Sequence, residues 1–565
     1  MNNSICLDCA PVKDFGRQSA LGRIRNQVDG WRLAALLLSS CVVLPLAVIF
    51  YFLLQPELDI WRHLVETLLA DLIINTIILT AGVLTGTFLL GVSLAWLTGV
   101  CDFPGRKLLS WALLLPMAMP TYVLAFVTLG LFDFSGPLQT ALRAWLPAAG
   151  RWFPNIRSAG GVIVVMTLAL YPYVYLLARS AFRTQGKRAL EAARSLGYGQ
   201  SGAFFKVSLP MARPWIAGGL MLVLMETLAD FGAVSIFNYD TFTTAIYKAW
   251  YGFFSLAAAA QLAALLVILV FLVAAIEQNM RSRTRFHQSG RMTMESERIV
   301  LSGWRKWTAA GYAGGVILLA FVIPFAQLLN WTRQIFTIEF SNRYWGFLSN
   351  SLMLAVLATG LVTVSSLCLS YARRKHSDKL TRLLVRVSVM GYALPGTVLA
   401  VGIFIAVSAF DNALVSFAGT FIPLESGRIL QGTVFVVLAA YVVRFMAAGF
   451  NAVDSAMHRL TPSLDEAAIS LGSTGIRLIR RVHLPILKNG LLTAIVLVFV
   501  DVMKEMPITL MTRPFGWDTL AVKIFELTSE GEWERAALPA VVLVLAGLVP
   551  VVLLTRRADA RPKPN

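Results

Sequence analysis

Apolar stretches on the order of twenty residues recur along the whole chain, divided by polar segments that hold most of the Lys and Arg. The first runs from Trp31 to Leu54, and the last from about Ala536 to Leu554. At ~1.5 Å per residue, a helix of this length crosses ~30 Å of hydrocarbon. The stretches are longer than ordinary strands and do not alternate strictly. A lone strand would also leave its amides unpaired in lipid. The pattern predicts about twelve spans and therefore an all-α polytopic membrane protein.

Composition supports lipid as the solvent: 57% of residues are hydrophobic and 14% charged, with a mean hydropathy of +0.69. The net charge of +18 would suit a nucleic-acid binder. However, an even number of spans with both termini inside sorts the cations to the cytoplasmic side, as the positive-inside rule requires. The basicity is topological, and no nucleic-acid partner is expected. Arg281, Arg283 and Arg285, like Arg373, Arg374 and Lys375, read first as inside anchors and second as lipid-headgroup contacts. Five cysteines, with Cys41 and Cys368 inside spans, suggest no disulfide framework. Cys6 and Cys9 form a C-x-x-C pair without a nearby His, short of the four ligands of a closed zinc site, so no firm metal site is assigned. The charged lead before Trp31 is longer than a cleavable signal normally has, so the first span should remain as an anchor.

The chain repeats itself at an offset of 275 residues. Asn75-Thr76 returns as Asn350-Ser351, Pro120 as Pro395, Glu191-Ala192-Ala193 as Glu466-Ala467-Ala468, Gly197 as Gly472, and Leu209-Pro210 as Leu484-Pro485. The offset drifts locally, since Tyr173 best matches Tyr441. An even number of spans per half makes this a parallel repeat about an axis along the membrane normal. The expected organisation is a tail (1–30), a first half (31–280) with a cytoplasmic loop at 187–214, and a charged linker (281–307). A second half (308–556) with its loop at 461–489 and a tail (557–565) complete it. No separate soluble domain is evident.

Each cytoplasmic loop holds Glu-Ala-Ala, three residues, Gly, nine residues, then Val-x-Leu-Pro. These are Glu191, Ala192, Ala193, Gly197, Val207, Leu209 and Pro210, then Glu466, Ala467, Ala468, Gly472, Val482, Leu484 and Pro485. Glu and Ala favour a short helix, Ala permits close approach, and Gly allows a sharp turn. A second short helix can follow, with the Pro at the start of the returning span. Glu-Ala-Ala alone is common in any helix, whereas its recurrence in two equivalent loops points to a docking element. No G-x-x-x-x-G-K-[ST] phosphate loop occurs, and Gly186-Lys187 lacks both the upstream Gly and the following Ser or Thr.

After each loop a span carries acids: Glu226 and Asp230, then Asp501 and Glu505, with Lys504 between the second pair where the first half has Ala229. A spacing of four predicts that each pair shares one helical face. Spans starting near Trp215 and Gly490 would put the first acid ~16 Å along the helix, near the bilayer midplane. A charge facing lipid there costs ~2.5–3.5 kcal/mol, so these side chains should face the bundle. Two readings remain open. The acids either form a structural network, with Asp501 on Lys504 and Glu505 on a backbone donor, or line a translocation path for a hard cation. Pro116, Pro120, Pro172, Pro395 and Pro507 should interrupt helices as packing kinks or gating bends.

The paired loops make the chain resemble the importer permeases of the ATP-binding cassette superfamily. That resemblance implies the type I importer fold, placement in a bacterial inner membrane, and coupling loops that dock onto a separate ATPase in two copies. It assigns Glu191, Ala192, Ala193, Gly197, Leu209 and Pro210, with Glu466, Ala467, Ala468, Gly472, Leu484 and Pro485, to ATPase coupling. It also implies that the chain binds no cofactor and that the partner uses the ATP. Within the superfamily, Glu226 to Tyr247, Leu256 to Gln261, Tyr392 to Ile403 and Asp501 to Leu520 are similar to fused ferric-iron permeases. This implies a periplasmic iron-binding protein as partner and iron(III) as substrate. Permeases for thiamine, phosphonates, polyamines, sulfate or molybdate share the architecture, and a proton-driven secondary carrier using the same acids is the alternative of another class. A membrane enzyme is disfavoured, because His63, His287, His376, His458 and His483 form no metal or triad spacing.

Overall fold

In the computed structural model, residues 30–559 are described apart from 56–57, 146–153, 196, 283–297, 341, 377, 420–428 and 474. Cys6 and Cys9 lie outside the described residues. Among these residues, twelve helices are long and apolar enough to cross a membrane. In chain order they are α1 (Gly30–Leu53), α2 (Leu69–Val100), α3 (Thr121–Trp145), α4 (Ala159–Thr184), α5 (Phe204–Ala229) and α6 (Leu256–Val273) in the first half. The second half supplies α7 (Trp304–Thr337), α8 (Arg343–Lys375), α9 (Gly396–Phe417), α10 (Val434–Met457), α11 (Ile479–Lys504) and α12 (Trp533–Leu553). The all-α polytopic architecture is as the apolar pattern predicts.

The duplication in sequence is a duplication in packing. In the first half α2, α4 and α5 form a three-helix core, and in the second α8, α10 and α11 do the same. The first core closes around Val174 of α4. A Cβ on Gly91 of α2 would lie 2.7 Å from the Val174 side chain, and one on Gly219 of α5 would lie 2.8 Å from its Cα. The second core reverses the device. Gly449 of α10 is the small residue, against Ser366 and Val362 of α8 on one side and Val498 of α11 on the other. With no hydrophobic drive between helices in lipid, such close backbone approach is what holds the bundle.

The halves interlock through their first helices. α1 packs on α6 of its own half, and also on α8, α9 and the helix Lys379–Val389 of the other. α7 mirrors it by packing on α12, on the helix Arg106–Ala112 and on the first part of α3. Arg32 at the start of α1 seals one crossing with an ion pair to Asp378 at 2.8 Å. Asp378 also caps Lys379–Val389 by accepting from the Thr381 amide at 3.1 Å. At the end of the linker, Ile299–Val300 pairs in parallel with Cys101–Asp102, tying the second half's entry to the end of α2.

The prolines act mostly as helix starts rather than interruptions. Pro120 is the N-cap of Thr121–Phe132, Pro395 immediately precedes Gly396, and Pro507 opens Pro507–Thr512, where its missing amide costs nothing. Pro116 lies in the short 3₁₀ turn Leu115–Ala118, and Pro172 alone of the five sits inside a long helix.

Gly219→Ala should destabilise the chain by about 1–3 kcal/mol, because the Val174 backbone cannot retreat. Gly314→Ala, which meets nothing within 4 Å in a helix, should be neutral or stabilising. Unfolding midpoints in detergent check both, and equal midpoints would contradict the close-packed seam.

Candidate functional site

α5 and α11 end abruptly, and their endings build the site. α5 stops with Asp230 as its C-cap, and α11 stops with Glu505, both in extended backbone. Glu505, two residues before Pro507, is where α11 leaves the helix, and Met506 returns to helical dihedrals as the N-cap of Pro507–Thr512. On the other side Gly232 gives the clearance: a Cβ there would lie 2.7 Å from Tyr122 and 2.9 Å from Met506 of the opposite half. The acids of each pair therefore do not share a helical face as their spacing predicts. The helix terminates between them, and the first acid sits in its last turn rather than midway along it.

The second acid of each pair caps the short helix that follows. Asp230 accepts from the amides of Ala233 and Val234 at 3.0 and 3.2 Å, at the start of Gly232–Ile236. Glu505 accepts from the Ile508 amide at 3.0 Å, at the start of Pro507–Thr512. The repeat extends to their partners. The Thr121 hydroxyl donates to Asp230 at 2.6 Å, while the equivalent Gly396 leaves the Glu505 carboxylate 3.0 Å from where a Cβ would stand.

Glu226, Asp230, Asp501, Lys504 and Glu505 all line one cavity of about 280 Å³ between the halves, together with Arg444 of α10. Glu226 accepts from the Tyr392 hydroxyl at 2.8 Å. Asp501 has no hydrogen-bond donor or ion-pair partner in contact among the described residues. The expected pairing with Lys504 is not made, because the ammonium turns to the Met117 carbonyl at 3.0 Å. Arg444 donates to the carbonyls of Tyr392, at 3.2 Å, and Leu394. Met117 and Tyr392 occupy equivalent places in the repeat, each in the 3₁₀ turn before a paired proline. Each half's broken turn is thus satisfied by a cation, and both cations come from the second half.

Arg444 is not among the charges that the acid pattern singles out. The signal was present, since an Arg inside VFVVLAAYVVRFMAAGF is an intramembrane charge like the others. With it, four carboxylates face two cations, a formal excess of two negative charges around the cavity. Among the described residues no three His, Cys, Asp or Glu side chains converge as a metal-holding group. The cavity is lined by charged groups from both halves.

At the loops, Gly197 and Gly472 both take positive φ, +79° and +78°, at the turn that ends each Glu-Ala-Ala helix. Around Gly472 the Ser473 amide donates to Ala468 O and the Gly472 amide to Ile469 O, both at 2.9 Å, the Schellman arrangement that favours Gly. The two loops otherwise differ. Glu466, Ala467 and Ala468 lie in a separate helix, Pro462–Ser470, whereas Glu191, Ala192 and Ala193 lie in the continuous helix Ala159–Ser195 that extends α4. The second short helix is not a separate element in either half. It becomes the first turn of a rod that runs through a π turn, Phe204–Ser208 or Ile479–His483, directly before Leu209-Pro210 or Leu484-Pro485. The π turn adapts the ladder just before a residue that cannot donate.

Pro462–Ser470 is clamped from behind. Asp465, beside Glu466, accepts from Arg374 of α8 at 2.6 Å and lies 2.8 Å from His483 Nε2 of α11. The other ring nitrogen of His483 is 2.8 Å from the Tyr371 hydroxyl. Burial alone would raise the Asp465 pKa, but the hydrogen bonds from Arg374 and His483 outweigh it and hold the carboxyl below its ordinary value. The first half has Leu190, Trp96, Gly99 and Ser208 at the four equivalent positions, so the clamp belongs to one half only. The outer side of the clamped helix carries Glu466 and Ala467, with Ile469 and Leu471 exposed by 52% and 85%.

The sequence matches the family described as binding-protein-dependent transport system inner membrane component at residues 88–282 and 364–563, once in each half. It is 27% identical to "Fe(3+)-transport system permease protein FbpB 2" of Haemophilus influenzae, over 92% of this chain and 98% of that one. It is also 27% identical to the "Putative 2-aminoethylphosphonate transport system permease protein PhnV" of Salmonella typhimurium, over 44% of this chain and 94% of that shorter one.

Removing the capping acids, Asp230→Ala or Glu505→Ala, should each cost about 1–2 kcal/mol. Asp501→Ala should be neutral or stabilising, since it removes a charge with no bonded partner. Unfolding midpoints that rank the three in reverse would refute this division. Asp465→Asn should speed amide exchange across 462–470 severalfold, as charge-assisted bonds worth ~1.5–3 kcal/mol weaken. Because the folded Asp465 pKa lies below the unfolded value near ~3.9, its contribution is complete above that pH. It is lost only as pH falls through the folded value, so exchange from this source should begin to rise below about pH 4.

The matched halves, the two loops and the span pattern converge on one assignment: this chain belongs to the binding-protein-dependent transport system inner membrane component family.

Proposed function

We propose that this chain is the transmembrane permease of an ATP-driven importer that moves iron(III) handed over by a periplasmic binding protein. The observation that carries the reading is the cavity between the halves. Acids from both converge there, and Asp501 is left open to it with no bonded partner among the described residues. Oxygen ligands suit a hard, highly charged cation, and a path that holds it weakly lets it leave again. The near-full-length similarity to a ferric permease supports the same substrate.

In this reading Asp501 and Glu226 meet the ion, while Asp230 and Glu505 shape the passage by capping the short helices beside it. Arg444 and Lys504 satisfy opened carbonyls and keep the acid excess moderate. The chain supplies no phosphate loop, so the energy comes from a separate ATPase present in two copies. That subunit docks at the loops 187–214 and 461–489. Closure of the ATPase pair draws the loops together, and the rods that begin at Gln200 and Gly475 carry the movement up α5 and α11 to the cavity. Both termini and both loops face the cytoplasm, as the distribution of Lys and Arg supports.

The test is uptake into vesicles holding this chain, its ATPase and its binding protein, with the proton gradient collapsed. Iron(III) uptake should require ATP, and Asp501→Asn should lower it about tenfold or more without loss of ATPase binding. Glu191→Lys with Glu466→Lys should abolish assembly while the membrane fold persists. Uptake that follows the proton gradient instead would establish a secondary carrier. Uptake of 2-aminoethylphosphonate in place of iron would overturn the substrate.

A further inference from the structure

A surface cavity of about 790 Å³ lies apart from the one between the halves, beside the amphipathic helix Lys379–Val389. Lys379, Arg382 and Arg386 line it, spaced three and four apart so that they share one face of that helix. None of the three has an acidic partner in contact among the described residues. Arg373 at the end of α8 adds a fourth cation, although its guanidinium pairs with Asp454 at 2.8 Å. Between these charges the wall is apolar, formed by Leu383, Val389 and Phe450. Leu383 and the neighbouring Leu380 are 56% and 59% exposed on a helix otherwise studded with cations.

The site lies on the membrane face that carries the second loop. Arg374, next to Arg373, bonds to Asp465 of Pro462–Ser470. The other half keeps only one of these cations, since Thr98, Pro104, Lys107 and Trp111 stand in place of Arg373, Lys379, Arg382 and Arg386. The repeat therefore rules out a charge pattern required by the fold. Unpaired cations over an apolar floor, at the level where spans meet water, fit a ligand with an anionic head and hydrocarbon tails. A free phosphate would leave Leu383, Val389 and Phe450 without a role.

We propose that this groove binds one anionic phospholipid, with its phosphate on Lys379, Arg382 and Arg386 and its acyl chains along Leu383, Val389 and Phe450. The reading does not depend on the transported substrate. The test uses the full chain in nanodiscs and detergent, with phosphatidylglycerol as probe, phosphatidylcholine as the neutral comparison and inorganic phosphate as the headgroup-only arm. Native mass spectrometry should show phosphatidylglycerol retained about tenfold or more over phosphatidylcholine, and inorganic phosphate should not displace it. Each charge near the surface is worth about fivefold in binding, so Lys379→Gln, Arg382→Gln and Arg386→Gln together should lower retention on the order of a hundredfold. Arg305→Gln with Lys306→Gln, which removes cations elsewhere, should leave retention unchanged. Equal retention of the two lipids by the unaltered chain would overturn the proposal, whether or not the triple variant folds. So would a folded triple variant that keeps the lipid, or displacement of the lipid by inorganic phosphate.

Discussion

A backbone carbonyl released by a broken helix inside a membrane must find a donor, and this requirement organises the centre of the molecule. Paired prolines break the chain before α3 and before α9, which frees carbonyls at Met117, Tyr392 and Leu394. Lys504 and Arg444 supply the donors. The same breaks allow α5 and α11 to end beside them, where Asp230 and Glu505 cap new short helices. A polar cavity results because α5, α11 and the turns before α3 and α9 all stop beside it, and each stop needs a charged or hydroxylated side chain to satisfy it.

This division of labour separates groups that look alike in sequence. Asp230 and Glu505 are engaged with amides, Glu226 with a tyrosine hydroxyl, and Lys504 and Arg444 with carbonyls. Asp501 retains its full capacity to accept. Of the four acids, the fold leaves only Asp501 uncommitted among the described residues.

The α5 and α11 rods join loop to cavity without a break, and close contact at Val174 and Gly449 ties each rod to its neighbours. Exchange of α1 and α7 between halves means that neither core can shift without pulling on the other. The two loops are not built alike. One ends a continuous extension of α4, and the other is a separate helix held by Asp465, Arg374 and His483.

Much was legible from the residues alone. Span number and helix type follow from apolar length, because in lipid a long apolar segment without strict alternation satisfies its own amides only as a helix. The duplication follows from matched residues at a constant offset, and the Gly197 and Gly472 turns follow from a conformation that only Gly adopts freely. What the sequence could not disclose depends on direction and partner. A spacing of four implies a shared face only if the helix continues, and whether it continues past Ala229 or Lys504 is decided by contacts with the opposite half. Lys504 beside Asp501 reads as an ion pair, yet a carbonyl 387 positions away claims the ammonium. Local sequence determined which segments are helical and which charges enter the membrane. Tertiary structure decided which group answers Lys504 and Glu226, because Met117 and Tyr392 reach them only when the two halves close on each other.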